Sequence, residues 1–259
     1  MKTGLAGKRA LVLGASKGLG FGIAQGLAAE GATVTIASRT LESAQAAAER
    51  IGGKARGLAC DTGNLPQVDA LYADAVSAMG GIDILVLNSG GPPPGLAQKI
   101  APAQWRASFE AMFVGLVRIA DLALPDMMER KFGRILSVIS SGVIEPIPNL
   151  AISNAIRPAL VGWGKTLASE VAGSGVTVNA IAPGRIATDR LQQLDEANAK
   201  RQGKDIDDIR ATAKSRIPAG RYGTVEEFAA MAVFLASDAA SFVTGSVVRV
   251  DGGQIASSL

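Results

Sequence analysis

The chain has 259 residues, of which 48% are hydrophobic and 19% charged, so it has enough apolar side chains to bury a large core. Its net charge is only +3 and its basic residues are scattered, which argues against nucleic acid as the main partner. The single cysteine, Cys60, excludes an intramolecular disulfide and a cysteine metal cluster, and we expect no metal. Since no run has membrane-spanning character and residues 1–9 lack a signal-peptide pattern, we expect a cytoplasmic protein without a membrane partner.

Strand-like apolar runs alternate with helical patterns along the whole chain. The predicted strands are 9–13, 33–37, 55–60, 82–87, 135–139, 176–181 and 247–250; the predicted helices are 20–29, 41–51, 65–79, 102–130, 150–172 and 225–237. This alternation predicts an α/β fold: a single Rossmann domain over 1–259, with a doubly wound, seven-stranded parallel sheet and helices on both faces. The polar segment 189–216 is expected to form a helical flap over the substrate.

The first strand runs directly into a glycine-rich turn, Gly14-Ala-Ser-Lys-Gly-Leu-Gly20. Glycine turns a strand sharply into a helix and lets the backbone approach a ligand closely. The free N–H groups at the start of the helix then favour a pyrophosphate. A tight turn without a ligand is the alternative, and the loops after the following strands decide between the two.

Those loops are polar or rich in glycine, and they are expected at one edge of the sheet. Arg39 stands at the end of the second strand, where dinucleotide folds specific for NAD carry an acid, so NADP is favoured over NAD. Asp61 and Thr62 are candidates for the adenine, and Thr188 for the nicotinamide carboxamide. The residues expected to bind the cofactor are Gly14, Ser16, Lys17, Gly18, Leu19, Gly20, Ser38, Arg39, Asp61, Thr62, Asn88, Gly90, Pro183, Gly184, Ile186 and Thr188.

Together with the motifs Asn88-Ser-Gly-Gly91, Val178-Asn-Ala-Ile-Ala-Pro-Gly184 and Val250-Asp-Gly-Gly253, the glycine turn makes the chain resemble the short-chain dehydrogenase/reductase family over essentially its whole length. By motif it is most similar to the 3-oxoacyl-[acyl-carrier-protein] reductase group, and to a divergent, reductase-like part of it. The resemblance implies an oxidoreductase that interconverts a carbonyl and a secondary alcohol. It also implies a homotetramer, with helices 102–130 and 150–172 and the last strand at the contacts.

The resemblance further implies a catalytic asparagine, serine, tyrosine and lysine, but only the serine carries over. It aligns with Ser140, which would position the substrate carbonyl. The tyrosine position is Ser153, the lysine position is Arg157 and the asparagine position is Met112. The expected catalytic residues of this chain are therefore Ser140, Ser153 and Arg157.

These differences weaken the expected proton transfer. A serine hydroxyl is a much weaker acid than a phenol, and arginine stays protonated in proteins. The chain has no histidine, its tyrosines Tyr72 and Tyr222 fall far from the site in sequence, and Glu145 would serve as an acid only if buried. Two functions stay open: an NADP-dependent oxidoreductase with an atypical active site, or a non-catalytic dinucleotide-binding protein that acts as a sensor or structural partner.

Overall fold

The structure is a computed structural model, and it describes residues 2–258. The strands are β1 (Arg9–Val12), β2 (Thr33–Ser38), β3 (Arg56–Ala59), β4 (Ile84–Leu87), β5 (Gly133–Val138), β6 (Val176–Pro183) and β7 (Val247–Val250). The helices are α1 (Gly18–Ala29), α2 (Leu41–Ile51), α3 (Leu65–Met79), α4 (Pro102–Phe109), α5 (Gly115–Glu129), α6 (Ala151–Val171), α7 (Asp189–Gln202), α8 (Ile206–Ser215) and α9 (Val225–Ala236).

The seven strands form one parallel sheet in the order β3-β2-β1-β4-β5-β6-β7, which confirms the predicted fold class. Helices cover both faces, so the central strands are apolar on both sides, and β4 is completely buried. The chain leaves β1 towards β2 and later returns to add β4 on the other side. This reversal of strand order opens a crevice at the carboxyl ends of β1 and β4.

The helix predicted over 102–130 is interrupted by a π-helical turn at Glu110–Val114, between α4 and α5. The Thr62 hydroxyl donates a hydrogen bond to the carbonyl of Ala111 in this turn, at 2.8 Å. A Cβ at Gly115 would lie only 1.9 Å from the Thr62 carbonyl oxygen, so α5 begins in direct contact with the β3–α3 loop. Periodicity did not reveal the π-helical turn because one additional residue in a long apolar helix scarcely alters its pattern.

Six of the seven strands differ from their predicted bounds by one or two residues, and two of these differences lie at the carboxyl ends of β5 and β6. β5 ends at Val138, so Ser140 lies in the loop beyond the strand, where it precedes a 3₁₀ turn at Ser141–Val143. β6 continues to Pro183, which was expected in the following loop. The proline is accommodated because the next residue, Gly184, donates its N–H to the Val250 carbonyl at 2.9 Å and continues the ladder to β7.

The segment predicted as a helical flap folds into two helices, α7 and α8. Thr188 begins α7 by accepting a hydrogen bond from the Leu191 N–H, and Asp205 begins α8 by accepting one from the Asp207 N–H.

Cys60, expected to be a small core residue at a strand end, lies buried directly after β3, and burial raises the pKa of its thiol to about 11. No helix within residues 2–258 has the length and apolarity needed to cross a bilayer.

Candidate active site

The glycine turn between β1 and α1 is packed so tightly that side chains are excluded from it. Gly14 has φ +57°, and a Cβ there would lie 2.9 Å from the Asn88 side-chain nitrogen. A Cβ at Gly20 would lie 2.6 Å from the Gly14 carbonyl oxygen. Asn88 donates from its amide to the carbonyls of Leu13 and Gly14, at 3.2 and 2.9 Å. Asn88, expected to border a cofactor, therefore also clamps β4 to the turn, a role that the sequence did not reveal.

Helix α1 begins at this turn without a side-chain cap, since Lys17 in the N-cap position accepts no hydrogen bond from the helix. Helices α4, α5 and α6 share this lack of a cap, whereas each of the other five begins with a side chain that accepts from a backbone N–H: α2, α3, α7, α8 and α9. No acidic residue lies in the first turn of α1. Its N–H groups therefore keep their capacity to bind an anion.

At the end of β2, two neighbouring residues have different roles. The Ser38 hydroxyl is buried in the protein and donates to the Thr40 carbonyl at 2.9 Å, so it shapes the β2–α2 loop. Arg39 is exposed and forms no ion pair or hydrogen bond with the other described residues. The exposed guanidinium remains available to a ligand at this edge.

The other predicted loops lie at the same edge, but several of their side chains already bond to other residues of the protein. Asp61 accepts from the Gly63 N–H at 3.0 Å, and the Thr62 hydroxyl binds the π-helical turn. The Thr188 hydroxyl caps α7 and lies 3.3 Å from the Ile186 carbonyl. Lys17, which extends into solvent, pairs with Asp189 at 3.5 Å. Side-chain contacts from Thr62 and Thr188 to a ligand would have to compete with these bonds.

Ser140 and the first turn of α6 meet at the end of β5. The Ser140 hydroxyl accepts from the Gly142 N–H at 3.0 Å. A Cβ at Gly142 would lie 3.2 Å from Ser140 Oγ and 2.5 Å from Asn154 Oδ1, so these two side chains enclose the glycine. Asn154 holds the loop through both its amide atoms, which bond the N–H and carbonyl of Ile147. Ser153, buried beside it, makes no hydrogen bond to another described residue.

One helical turn after Ser153, Arg157 crosses from α6 to the end of β5. The side chain is 6% exposed, and its Nη1 donates to the carbonyl of Val138, two residues before Ser140. Burial, with a smaller contribution from the positive charge of Arg190, lowers the pKa of Arg157 to about 10. The structure therefore brings Ser140, Ser153 and Arg157 together around the end of β5.

Met112, at the position of the expected asparagine, is buried in the π-helical turn and packs with Ile152 and Ile156 of α6. Tyr72, on α3, packs against the core. Tyr222 donates its hydroxyl to Asp195 at 2.9 Å, and burial and that carboxylate raise the pKa of the phenol. Glu145 is exposed, without the burial that its proposed role as an acid requires.

Comparison with known proteins identifies the family. A family model described as Enoyl-(Acyl carrier protein) reductase matches residues 14–254. The chain is 34% identical over 249 residues to the 3-oxoacyl-[acyl-carrier-protein] reductase of Escherichia coli, covering 95% of this chain and 97% of the relative. This protein is a short-chain dehydrogenase/reductase. Its family membership, expected from the motifs, is confirmed.

Two further short-chain dehydrogenase/reductases extend the range of similar proteins. The D-beta-hydroxybutyrate dehydrogenase of Cupriavidus necator is 33% identical, covering 97% of this chain and 99% of its own. The L-sorbose reductase of Gluconobacter frateurii, solved with NADPH and L-sorbose, superposes with a TM-score of 0.93 at 32% identity, covering 99% of this chain and 100% of that one. The chain is thus similar, over nearly its full length, to proteins that are named for different substrates.

Sequence reasoning missed two groups of residues in this short-chain dehydrogenase/reductase. Arg190, the second residue of α7, donates to the Pro92 carbonyl at 2.7 Å and lies against the β4–α4 loop. Asp195, with a side chain only 2% exposed, pairs with Arg185 at 2.8 Å and also accepts from Tyr222. The only available signal was the position of both residues in the predicted flap, because contacts across that distance leave no local pattern.

Proposed function

We propose that this protein is an NADP-dependent oxidoreductase that interconverts a carbonyl and a secondary alcohol, with an active site that lacks the tyrosine and lysine of its family. The observation that carries the proposal is the juxtaposition, at one sheet edge, of an uncapped helix start and the Ser140–Ser153–Arg157 group. Its similarity to 3-oxoacyl-[acyl-carrier-protein] reductase and to a sugar reductase solved with NADPH supports the same class of reaction.

The residues at the crevice fit a dinucleotide. The backbone of the glycine turn is open to a diphosphate, since α1 has no side-chain cap. Ser89, directly after Asn88, has a buried hydroxyl without a hydrogen-bond partner among residues 2–258, which a polar ligand group would satisfy. Arg39 is free to bind a 2′-phosphate, whereas an acid there would select for a free ribose hydroxyl. These features favour NADP over NAD.

The bound cofactor would supply or accept the hydride, and the side chains around β5 would act on the substrate oxygen. Ser140 and Ser153 would donate hydrogen bonds to the carbonyl and so position it. Arg157 carries a positive charge at neutral pH, because its lowered pKa of about 10 is still well above 7. That charge would stabilise the negative oxygen that develops as the carbonyl is reduced.

The proton for this oxygen would come from solvent rather than from a residue of the chain. Arginine is a poor proton donor, and Tyr222 is bound to Asp195 in the flap. Met112 fills the π-helical turn with an apolar side chain, which cannot anchor a water in place of the family's asparagine. General acid catalysis contributes about 10² to 10⁴ in rate, so we expect slow reduction of ordinary ketones.

The test measures NADPH binding by fluorescence, and NADPH oxidation on ketones, aldehydes and 3-oxoacyl thioesters. We expect NADPH binding with measurable turnover, and NADH binding at least about 10-fold weaker. The double variant Ser153→Tyr/Arg157→Lys is expected to raise turnover of simple ketones by about 10²-fold. NADPH binding without turnover on any substrate would instead favour the non-catalytic alternative, and no gain in the variant would contradict the assigned catalytic positions.

We also propose that the chain acts in the cytoplasm as a homotetramer. The large apolar residues exposed on the described surface include Phe109 and Met128 within the predicted contact region 102–130, and Val247 on the last strand. Light scattering after size exclusion is expected to give four times the chain mass. A monomer at micromolar concentration would contradict this assembly.

A further inference from the structure

The guanidinium of Arg157 is buried without a countercharge. Within residues 2–258 it forms no ion pair, and Val138 provides its single hydrogen-bond acceptor. Arginine has five N–H donors, so most of them lack a protein partner. Keeping a buried charge unpaired is costly, which indicates that something outside the chain completes the site.

Arg190 provides a second cation of the same kind. It is half-buried, its only hydrogen bond is to the Pro92 carbonyl, and it forms no ion pair with any described residue. A Cβ at Gly91 would lie 3.1 Å from its Nε, so the guanidinium rests on the loop that follows β4. It is close enough to Arg157 for its charge to contribute to the lowered pKa of that residue. Geometry agrees with this: Arg157 bonds the end of β5 and Arg190 bonds the loop after the neighbouring strand β4. The same loop also holds the segment before α6, since the Gly95 N–H donates to the Asn149 carbonyl at 2.7 Å.

Three other partly buried arginines are neutralised or enclosed by the protein. Arg9 pairs with Asp83, and Arg185 pairs with Asp195. Arg134 has no ion pair, but it donates to the carbonyls of Gly133 and Gly175 and lies 4.2 Å from the centre of the Phe132 ring. Arg157 and Arg190 differ from these three because their free donors lie at the edge of the sheet that also carries Ser140.

We propose that Arg157 and Arg190 bind a carboxylate of the substrate, which makes the preferred substrate a small oxo acid or the corresponding hydroxy acid. Arginine suits this role because its planar donors match the two oxygens of a carboxylate. The anion would lie beside the reacting carbon rather than at the cleft entrance, since Arg157 follows Ser153 by one helical turn. The cofactor phosphates do not explain these cations, because the α1 start and Arg39 already provide for them.

This inference rests on the proposed reductase function and narrows its substrate. Hydride would pass from NADPH to the carbonyl carbon and a proton from water to the oxygen, which gives the hydroxy acid and NADP⁺. Since the carboxylate is charged in substrate and product alike, the arginines would act mainly by binding it. Arg157, closer to the reacting oxygen, would in addition favour the transition state.

The test compares each acid with its uncharged ester. 2-Oxobutanoate and 3-oxobutanoate would be assayed against their methyl esters with saturating NADPH, and we expect kcat/KM about 10- to 100-fold higher for one of the acids. In Arg190→Gln the acid is expected to lose its advantage over the ester, mainly because its KM rises. Arg56→Gln, a change of an exposed arginine on the edge strand β3, is the control and should leave the ratio unchanged.

A measurement that does not depend on turnover separates the two proposals. Oxamate, an unreactive 2-oxo acid analogue, should raise the melting temperature of the NADPH-bound wild type but not that of Arg190→Gln. Equal rates for acids and esters, with no oxamate effect, would overturn the carboxylate site and leave the reductase in place. Oxamate binding without turnover of any carbonyl would support the carboxylate site and overturn the reductase.

Discussion

Two groups of arginines, at opposite edges of the sheet, differ in whether a carboxylate neutralises them. At the amino ends of β1 and β4, Arg9 holds Asp83 through Nε and Nη2, both at 2.7 Å, and Arg130 approaches the same carboxylate at 3.4 Å. At the carboxyl ends, Arg157 and Arg190 have no carboxylate partner among the described residues. The Arg9–Asp83 pair is thus neutralised within the chain, whereas Arg157 and Arg190 are not, although Arg185 at their edge pairs with Asp195.

Mutations of these two groups of arginines, or of their partners, should therefore have different effects. Removing one member of a neutralised pair leaves a buried charge behind and lowers stability. Removing an uncompensated charge relieves a desolvation cost, so the stability of the protein should not fall. Binding of the ligand, however, should become weaker. The predictions below use stability and binding as separate measurements of the two edges.

The largest expected effect is on the amino edge. Asp83→Asn should lower the free energy of unfolding by about 3 kcal/mol, because Arg9 loses its carboxylate partner and Arg130 keeps only Asp126. Urea denaturation measures this, and the dissociation constant for NADPH should stay within about twofold of the wild type, as expected for a site at the far edge. A variant with unchanged stability would contradict the structural role of this pair.

The same pair predicts a pH dependence. Burial opposes the charged form of Asp83, but the hydrogen bonds from Arg9 and the charge of Arg130 outweigh it, so the pKa of Asp83 lies below its usual range. A lowered pKa adds stability above the unfolded value of about 3.9, and this stability disappears as the pH falls through the folded value. The free energy of unfolding of the wild type should therefore exceed that of Asp83→Asn by a constant amount from pH 5 to 7, and by less in stronger acid.

On the carboxyl edge, Arg157→Met should lower kcat/KM for an oxo acid by about 10² to 10³-fold, because the developing oxyanion and the carboxylate both lose a positive charge. Arg157→Lys keeps a charge but loses the planar donors, and it should retain part of the activity. Steady-state kinetics distinguishes the two variants. If Arg157→Met were as active as the wild type, Arg157 would have no role in the mechanism.

A smaller effect is expected at the end of β2. Arg39→Asp should weaken NADPH binding by about 10- to 100-fold and improve NADH binding, because the acid repels a 2′-phosphate and accepts a bond from a ribose hydroxyl. Fluorescence titration with both cofactors measures the change in preference. Arg50→Gln, which removes a cation that lies 4.2 Å from the centre of the Phe21 ring, is the control and should leave that preference unchanged.

The smallest effect is expected in the flap. Tyr222→Phe removes the hydrogen bond to Asp195 but leaves its pairing with Arg185, so α7 should loosen without detaching. We expect KM for the substrate to rise by about fivefold, consistent with the loss of one hydrogen bond of about 1 kcal/mol, while NADPH binding is retained. A large fall in kcat with unchanged KM would instead indicate a catalytic tyrosine.

The sequence predicted the parallel sheet, the alternation of strands and helices along the chain and the loops of the site, because apolar strands and glycine turns are local signals. α2 and α3 were predicted to the residue, and their ends carry side-chain caps from Thr40 and Asn64. The family comparison confirms the class of fold and of enzyme. The roles of Ser140, Ser153 and Arg157 stay predictions that the variants above test.

What the sequence could not predict depends on contacts between distant segments. The clamp from Asn88 to the glycine turn joins residues 74 positions apart, and the Arg190–Pro92 bond joins residues 98 apart. The π-helical turn at Met112 inserts a single extra residue into a helical segment, which leaves the apolar pattern almost unchanged. The lack of a partner for Arg157 is also invisible in sequence, because any of the acidic residues could have folded beside it.

The most direct test is the free energy of urea unfolding of wild type and Arg157→Met, each with NADPH, in the absence and presence of oxamate. Without oxamate, the variant should be at least as stable as the wild type, and only the wild type should gain stability when oxamate is added. A variant that is less stable without oxamate, or that gains as much from it as the wild type, would show that Arg157 supports the fold and does not hold a ligand.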